Sequence, residues 1–199
     1  IVTGDWSSDV CSSDLPWDGT GHLNDFTVVT PVFLSSEIIG FFASTSHIAD
    51  VGGRGFGPDA NDLFEEGLRV PISFLLEKGK PNKTLMELIK ANVRDPLVAE
   101  GDLYSLIACN EAGSVELLEM LNDLDLRNLE ELGKIILDRS KNAMREEIER
   151  LGHHDVQYDM VIDGYEEPVL IRCRMIIDQG FVDLDFSGSS SASPKGINV

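Results

Sequence analysis

Two copies of the pattern His-x-x-Asp carry the residue types that could do chemistry in this chain: His22 with Asp25, and His47 with Asp50. Imidazole nitrogens and carboxylate oxygens bind borderline to hard divalent metals, so this set suits Mn, Zn or Fe. Such an ion polarises an amide or carboxyl oxygen and lowers the pKa of a bound water. The open alternative is that the histidines are hydrogen-bonded loop residues and the aspartates are turn formers.

The two patterns flank a predicted β-hairpin. β-branched and aromatic residues at 27–33 and 38–44 predict two antiparallel strands, which the polar break at 34–37 joins. Pairing about this break places Asp25 roughly opposite Ser46. Both patterns then lie at the same open end of the hairpin, and we predict that their four side chains converge on one metal ion.

A glycine-rich loop and a short predicted helix follow the second pattern. The glycines of residues 52–57 permit tight turns and close backbone approach to a ligand, but no Gly-Lys-Ser/Thr follows, so this is not a P-loop. Residues 60–68 predict a helix on which Asp62, Glu66 and Arg69 share one face at i, i+4 and i+7. These three candidate catalytic residues are either an acid/base set that faces the substrate or an ion-paired helix face.

The remaining elements predict an α+β fold. Three stretches have apolar residues at helical spacing: residues 83–93, 102–122 and 128–151. Four stretches read as strands, the last three with a period of two: residues 70–76, 157–163, 169–177 and 181–186. We therefore predict an N-terminal β-hairpin layer, a central helical hairpin and C-terminal antiparallel strands.

The first residues of the chain differ in character from the rest. Residues 5–15 have neither helical nor strand periodicity, and their string DWSSDVCSSDL resembles the conceptual translation of a sequencing adapter. We therefore predict that residues 1–15 are a sequencing artefact or disordered, and that residues 16–199 carry the function. Because the chain begins with Ile and its last residues resemble a strand cut short, we interpret it as part of a longer protein.

Composition argues against several classes of function. The 35 acidic and 16 basic residues give a formal net charge of −19 without a basic stripe, which disfavours nucleic acid as a partner. No apolar run approaches the roughly 20 residues that span a membrane. The three widely spaced cysteines are odd in number, which disfavours a disulfide framework and predicts a reducing, cytoplasmic location.

Five stretches share the motifs of one protein family: residues 16–25, 47–59, 64–71, 182–188 and 196–199. Together they resemble the hydantoinase B/oxoprolinase family. This family includes the B subunits of N-methylhydantoinases, the C-terminal half of 5-oxoprolinase, and the related large subunits of acetone and acetophenone carboxylases. The resemblance covers about residues 16–199, as part of a longer family domain.

The resemblance implies a metal-binding subunit that acts with a hydantoinase A-type, ATP-using partner subunit. The partner phosphorylates a cyclic amide or an enolised ketone, and the activated small molecule is then hydrolysed or carboxylated at or near the metal. Carried across by motif, the metal set is His22, Asp25, His47 and Asp50. The implied enzyme is a hydrolase of cyclic-amide C–N bonds that uses ATP through its partner.

Three functions stay open. The first is an ATP-dependent cyclic amidase that opens a hydantoin or 5-oxoproline ring. The second is a subunit of an acetone- or acetophenone-type carboxylase, and the third is a non-catalytic, metal-stabilised assembly module. Because no ATP-binding motif is visible in the sequence, we predict that the isolated chain has no ATPase activity.

Overall fold

The computed structural model describes residues 10–13, 21–55, 57, 59–165 and 167–195. In this part of the chain the fold is α+β, as predicted, with N-terminal strands, central helices and C-terminal antiparallel strands. The chain divides into two compact units. The first unit contains the described residues up to Leu129, together with Lys195, and the second unit is Glu130–Pro194.

A four-stranded sheet organises the first unit. Its strands are β1 (Val10–Ser13), β2 (Asp25–Leu34), β3 (Glu37–His47) and β4 (Val70–Phe74). They lie in the order β3-β2-β1-β4, and every neighbouring pair is antiparallel. Alternate residues of β2, from Phe26 to Val32, are buried, so one face of the sheet packs into the core and the other face points outward.

Three helices and a small hairpin complete the first unit: β5 (Leu76–Glu77), β6 (Lys80–Pro81), α1 (Leu63–Glu66), α2 (Lys83–Asn92) and α3 (Pro96–Asp123). Apolar side chains of α3 and of the inner sheet face belong to one buried cluster. Each fully buried Val, Leu, Ile or Phe side chain contributes about 1.5–3 kcal/mol. No helix in the described part of the chain is both long enough and apolar enough to cross a membrane.

A buried asparagine joins α3 to the sheet. Asn110 is 1% exposed, and its Nδ2 donates to the carbonyl of Val28 at 3.0 Å and to Thr30 Oγ1 at 3.1 Å. An amide buried without partners would be costly, so these two bonds favour one position of the helix on the sheet.

The second unit contains one helix and a three-stranded meander: α4 (Glu130–Leu151), β7 (His154–Ile162), β8 (Val169–Asp178) and β9 (Phe181–Asp185). The strand order is β7-β8-β9, with antiparallel pairs throughout. Two cross-strand ion pairs of 2.6 Å tie β8 to β7: Arg172 with Asp159, and Arg174 with Asp155. These strands and this helix were predicted to within a few residues at each end.

Val10–Ser13, inside the segment that we predict to be a sequencing artefact or disordered, form a short strand in the structure. This short strand lies between β2 and β4 and pairs with both. Backbone hydrogen bonds on two edges hold such a strand, so it needs no apolar alternation of its own. Residues 1–9 and 14–15 lie outside the described residues, and the adapter origin of the segment stays a prediction.

One irregularity sets the register of the β2–β3 hairpin. Phe33 pairs with Ile38, but the next residue of β2, Val32, pairs with Gly40. Ile39 is therefore an extra residue on β3, which defines a β-bulge. A bulge of this kind shifts every later pair of the ladder by one residue.

The shift decides which side chains meet at the open end of the hairpin. Asp25 lies opposite His47, whereas the predicted partner Ser46 lies opposite Phe26. The prediction was one residue off because it assumed uniform pairing from the turn. Gly40, inside a strand, was the sequence signal that could have indicated the bulge.

Candidate metal centre

His22, Asp25 and His47 form one compact cluster at the open end of the hairpin. His22 Nε2 lies 3.0 Å from Asp25 Oδ1, and His47 Nδ1 lies 3.2 Å from His22 Nε2. The third side, from His47 Nδ1 to Asp25 Oδ1, is 3.3 Å. The three side chains are 26–43% exposed, so a solute can reach them from solvent.

This triangle of donor atoms fits one divalent ion. Bonds of about 2.1 Å place ligand atoms roughly 3.0 Å apart on one face of an octahedron, and roughly 3.4 Å apart in a tetrahedron. The three observed separations of 3.0, 3.2 and 3.3 Å lie within that interval. Two imidazoles and one carboxylate on a single face leave further coordination positions open, an arrangement suited to Fe, Mn or Zn.

Asn24 fixes the segment that carries His22 and Asp25, two of the three side chains of the cluster. It lies between His22 and Asp25 in sequence and is buried. Its Nδ2 donates to the carbonyl of Ile48 at 3.1 Å, and the Ile48 N–H donates to the carbonyl of Asn24 at 2.8 Å. These two bonds join the start of β2 to the residue after β3, so the three side chains of the cluster are held beside each other.

The helix predicted at residues 60–68 is shorter than expected. It spans only Leu63–Glu66, and Asp62 is its N-cap, with Oδ1 accepting from two backbone N–H groups of the first turn at 2.9 and 3.1 Å. Gly67 ends the helix at a φ of +142°, where an added Cβ would lie 2.4 Å from the carbonyl oxygen of Val51. This packing against the chain, which sequence periodicity does not report, stops the helix.

The predicted single face of Asp62, Glu66 and Arg69 was therefore wrong, because Asp62 caps the helix and Arg69 lies beyond its end. Glu66 contacts the segment that carries His22 and Asp25. Its Oε2 accepts a hydrogen bond of 3.3 Å from the N–H of Leu23, the neighbour of His22. Glu66 thus has a position suited to holding the His22 segment, while a catalytic role for the three residues stays a prediction.

Asp50 is not part of the cluster. Its Oδ1 accepts from the guanidinium of Arg94 at 2.6 Å and from the N–H of Gly52 at 3.0 Å, and its Oδ2 accepts from the N–H of Arg94. Burial, the largest single influence, raises the pKa of Asp50, but the hydrogen bonds from Arg94 and Gly52 together outweigh it and the pKa is lowered. Sequence reasoning missed Arg94 because no motif marks it.

Two residues of the glycine-rich loop, Gly52 and Gly53, pack against the backbone of their own chain. A Cβ added at Gly52 would lie 2.4 Å from the carbonyl oxygen of Asn92, and one added at Gly53 would lie 2.4 Å from that of Glu66. Both glycines have positive φ values, of 82° and 58°. At these two positions the close backbone approach that the sequence predicted towards a ligand is made towards the protein itself.

Replacing Asp50 with Asn is expected to weaken folding and leave metal affinity within about threefold. The change removes the charge-assisted pair with Arg94. Because the Arg94 side chain is exposed, we expect the unfolding free energy at pH 7 to fall by only about 1–2 kcal/mol. Because the folded pKa is lowered, the carboxylate stabilises the fold above about pH 4, and its contribution is lost as the pH falls through the folded value.

The difference in unfolding free energy between the wild type and Asp50→Asn should therefore become smaller as the pH is lowered from 7 to 3. Urea unfolding at each pH measures it. Manganese titration of the same two proteins checks the affinity. A large loss of manganese binding in Asp50→Asn would instead return Asp50 to the ligand set.

Comparison with known proteins gives a consistent assignment. The family model described as Hydantoinase B/oxoprolinase matches residues 5–199. The B subunit of a putative D-/L-hydantoinase from a Pseudomonas species is 26% identical over 203 residues, which cover 96% of this chain and 34% of the relative.

Two solved structures share the fold. An ATP-dependent caprolactamase of Pseudomonas jessenii matches with a TM-score of 0.77 and 22% identity, covering 94% of this chain and 33% of that one. A nucleotide-free acetone carboxylase matches with a TM-score of 0.80 and 19% identity, covering 94% and 27%. The chain spans about a third of the length of the curated relatives it matches first.

Proposed function

Because this chain belongs to the hydantoinase B/oxoprolinase family, we propose that it supplies the metal-binding site of an ATP-dependent cyclic-amide hydrolase. The observation that carries the proposal is the triangle of His22, Asp25 and His47 donor atoms, with sides of 3.0–3.3 Å. A hydantoinase and a caprolactamase among the similar proteins support a cyclic amide as the substrate class.

The proposed ion is Mn, Zn or Fe, bound by two imidazoles and one carboxylate. When bound, it would act as a Lewis acid towards the carbonyl oxygen of a small cyclic amide. The protein supplies the geometry. Asn24 fixes the start of β2 against the end of β3, and Glu66 holds the backbone beside His22. The part of the cluster that faces solvent is left to receive the substrate.

ATP use is assigned to a hydantoinase A-type partner subunit in a cytoplasmic complex. The Pseudomonas relative is itself one subunit of a hydantoinase, which supports a multi-subunit assembly. This chain contains no Gly-Lys-Ser/Thr phosphate loop in its sequence. We therefore propose that the dependence on ATP comes through the partner subunit.

The second candidate is a subunit of an acetone- or acetophenone-type carboxylase. The fold match to acetone carboxylase supports it, because the TM-score of 0.80 is at least as high as the TM-score of 0.77 for the caprolactamase. The same metal cluster serves either reaction, so substrate consumption must decide between them.

Elemental analysis of the purified chain is the first test, with one Mn, Zn or Fe ion per chain as the expected result. For activity, the chain replaces the matched third of the Pseudomonas hydantoinase relative, and the hybrid is assayed with its A-type partner. ATP-dependent ring opening of hydantoin supports the hydrolase, and consumption of acetone with bicarbonate supports the carboxylase.

Metal in the wild type with equal ring opening by a His22→Ala hybrid would favour the non-catalytic assembly module. A wild-type chain that binds no ion would contradict all three versions of the proposed site.

A further inference from the structure

The outer face of the β2–β3 hairpin continues beyond the metal cluster. In an antiparallel ladder, residues directly opposite each other share a face, and every second pair lies on the same side. The pair of Asp25 and His47 is therefore followed, on the same face, by the pair of Thr27 and Thr45. The two pairs are separated by two residues of strand, which is about 7 Å.

These two threonines form a hydroxyl pair next to the cluster. Their Oγ1 atoms lie 2.8 Å apart, Thr45 is exposed and Thr27 is half-buried. A hydrogen bond between two hydroxyls uses only one of their two O–H donors and leaves acceptor lone pairs. The pair therefore retains one donor and further acceptors for a solute.

The surroundings of the pair change from polar to apolar along the hairpin. The next two pairs on the same face are Val29 with Ala43 and Pro31 with Phe41, and Phe41 is 63% exposed. The face thus presents, in order, a metal cluster, two hydroxyls and an apolar stretch. A small ring with polar groups at opposite ends matches this order.

We propose that Thr27 and Thr45 bind the polar edge of the small-molecule substrate and determine its orientation at the metal cluster. The inference rests on the proposed function and adds a recognition element to it. A cyclic amide whose carbonyl oxygen meets the cluster would turn a second carbonyl or ring N–H towards the hydroxyls, which can donate to the one and accept from the other.

A purely structural role makes a different prediction. Threonine pairs across strands add a small amount of sheet stability, whether or not a ligand binds. If that were their whole role, replacing both residues with valine would change thermal stability and leave ligand affinity unchanged. Valine keeps the β-branched shape that strands favour and removes only the hydroxyls.

The test uses the chain loaded with Co(II), with hydantoin as the probe and the visible spectrum of Co(II) as the readout. The double variant Thr27→Val/Thr45→Val should bind Co(II) as the wild type does and bind hydantoin at least about tenfold more weakly, since an unpaired polar edge is costly to bury. The matched control Thr27→Ser/Thr45→Ser keeps both hydroxyls and should bind hydantoin within about threefold of the wild type.

The outcomes separate this inference from the proposed function. A wild-type chain that takes up no Co(II) defeats the proposed function and the inference with it. Normal Co(II) uptake with equal hydantoin affinity in the valine variant, or no hydantoin response in the wild type, overturns the hydroxyl pair alone. Unchanged Co(II) affinity in each variant also shows that the hairpin has folded.

Discussion

Replacing His47 with Ala is expected to lower the affinity of the chain for Mn(II) by about 100-fold or more. Loss of an outer hydrogen-bond partner of a metal ligand already costs 10–100-fold, and His47 provides one of three donor atoms of the triangle itself. The loss should appear in a titration followed by the electron paramagnetic resonance of free Mn(II). Elemental analysis of the purified variant should agree with it.

Stability provides a second readout of the same site. Mn(II) at 100 times its Kd should raise the unfolding free energy of the wild type by about 2.7 kcal/mol, because the ion binds the folded chain. His47→Ala should gain little under the same conditions. The fold itself should survive, since the side chain is 43% exposed and its removal leaves no buried cavity.

His153→Ala is the matched control for His47→Ala. His153 also lies beside a carboxylate, with Nδ1 3.4 Å from Asp178 Oδ1. It does not belong to the cluster of His22, Asp25 and His47. We expect its replacement to leave Mn(II) binding unchanged. Equal metal content in the wild type and in His47→Ala would remove His47 from the site.

Inserting one Ala between Ala43 and Ser44 is expected to reduce Mn(II) affinity to the level of His47→Ala. The insertion moves the end of β3 by one position, so that Ser46 lies opposite Asp25 and His47 lies opposite Asn24. A shift of one residue turns every later side chain to the other face of the sheet. The donor atoms would then be separated although no ligand has been replaced.

Deleting Ile39 is the matched control for this insertion. Ile39 is the extra residue of the bulge, so its removal leaves the pairing of Asp25 with His47 unchanged. Mn(II) affinity should stay within about threefold of the wild type. Far-ultraviolet circular dichroism checks that both variants keep their helices, and equal affinity in the two would show that strand register does not set the site.

Sequence periodicity predicted the long elements well because each has many residues to average over. The helix α4 and the strands β7 to β9 carry clear periods of 3.6 and 2, and the structure places them where those periods indicate. Short elements were harder to predict from the sequence. The four residues of β1 have no pattern of their own, and α1 was predicted too long because its end depends on the contact of Gly67 with Val51.

The candidate site was partly predictable from the sequence. Spacing and strand pairing predicted that His22, Asp25 and His47 would meet, and the structure brings their donor atoms within 3.3 Å. The fourth predicted ligand, Asp50, follows His47 by three residues, just as Asp25 follows His22. Its partner Arg94 is 44 positions away in sequence, so only the folded chain reveals their contact.

The packing of Gly52 and Gly53 gives both positions a structural reason to remain glycine among relatives. An invariant glycine in a surface loop beside a metal cluster is commonly taken as a sign of ligand contact. At Gly52 and Gly53 a side chain would collide with the carbonyl oxygens of Asn92 and Glu66, whatever the protein binds. Invariance at these two positions would therefore record the shape of the fold, and evolutionary evidence about the substrate must come from other residues.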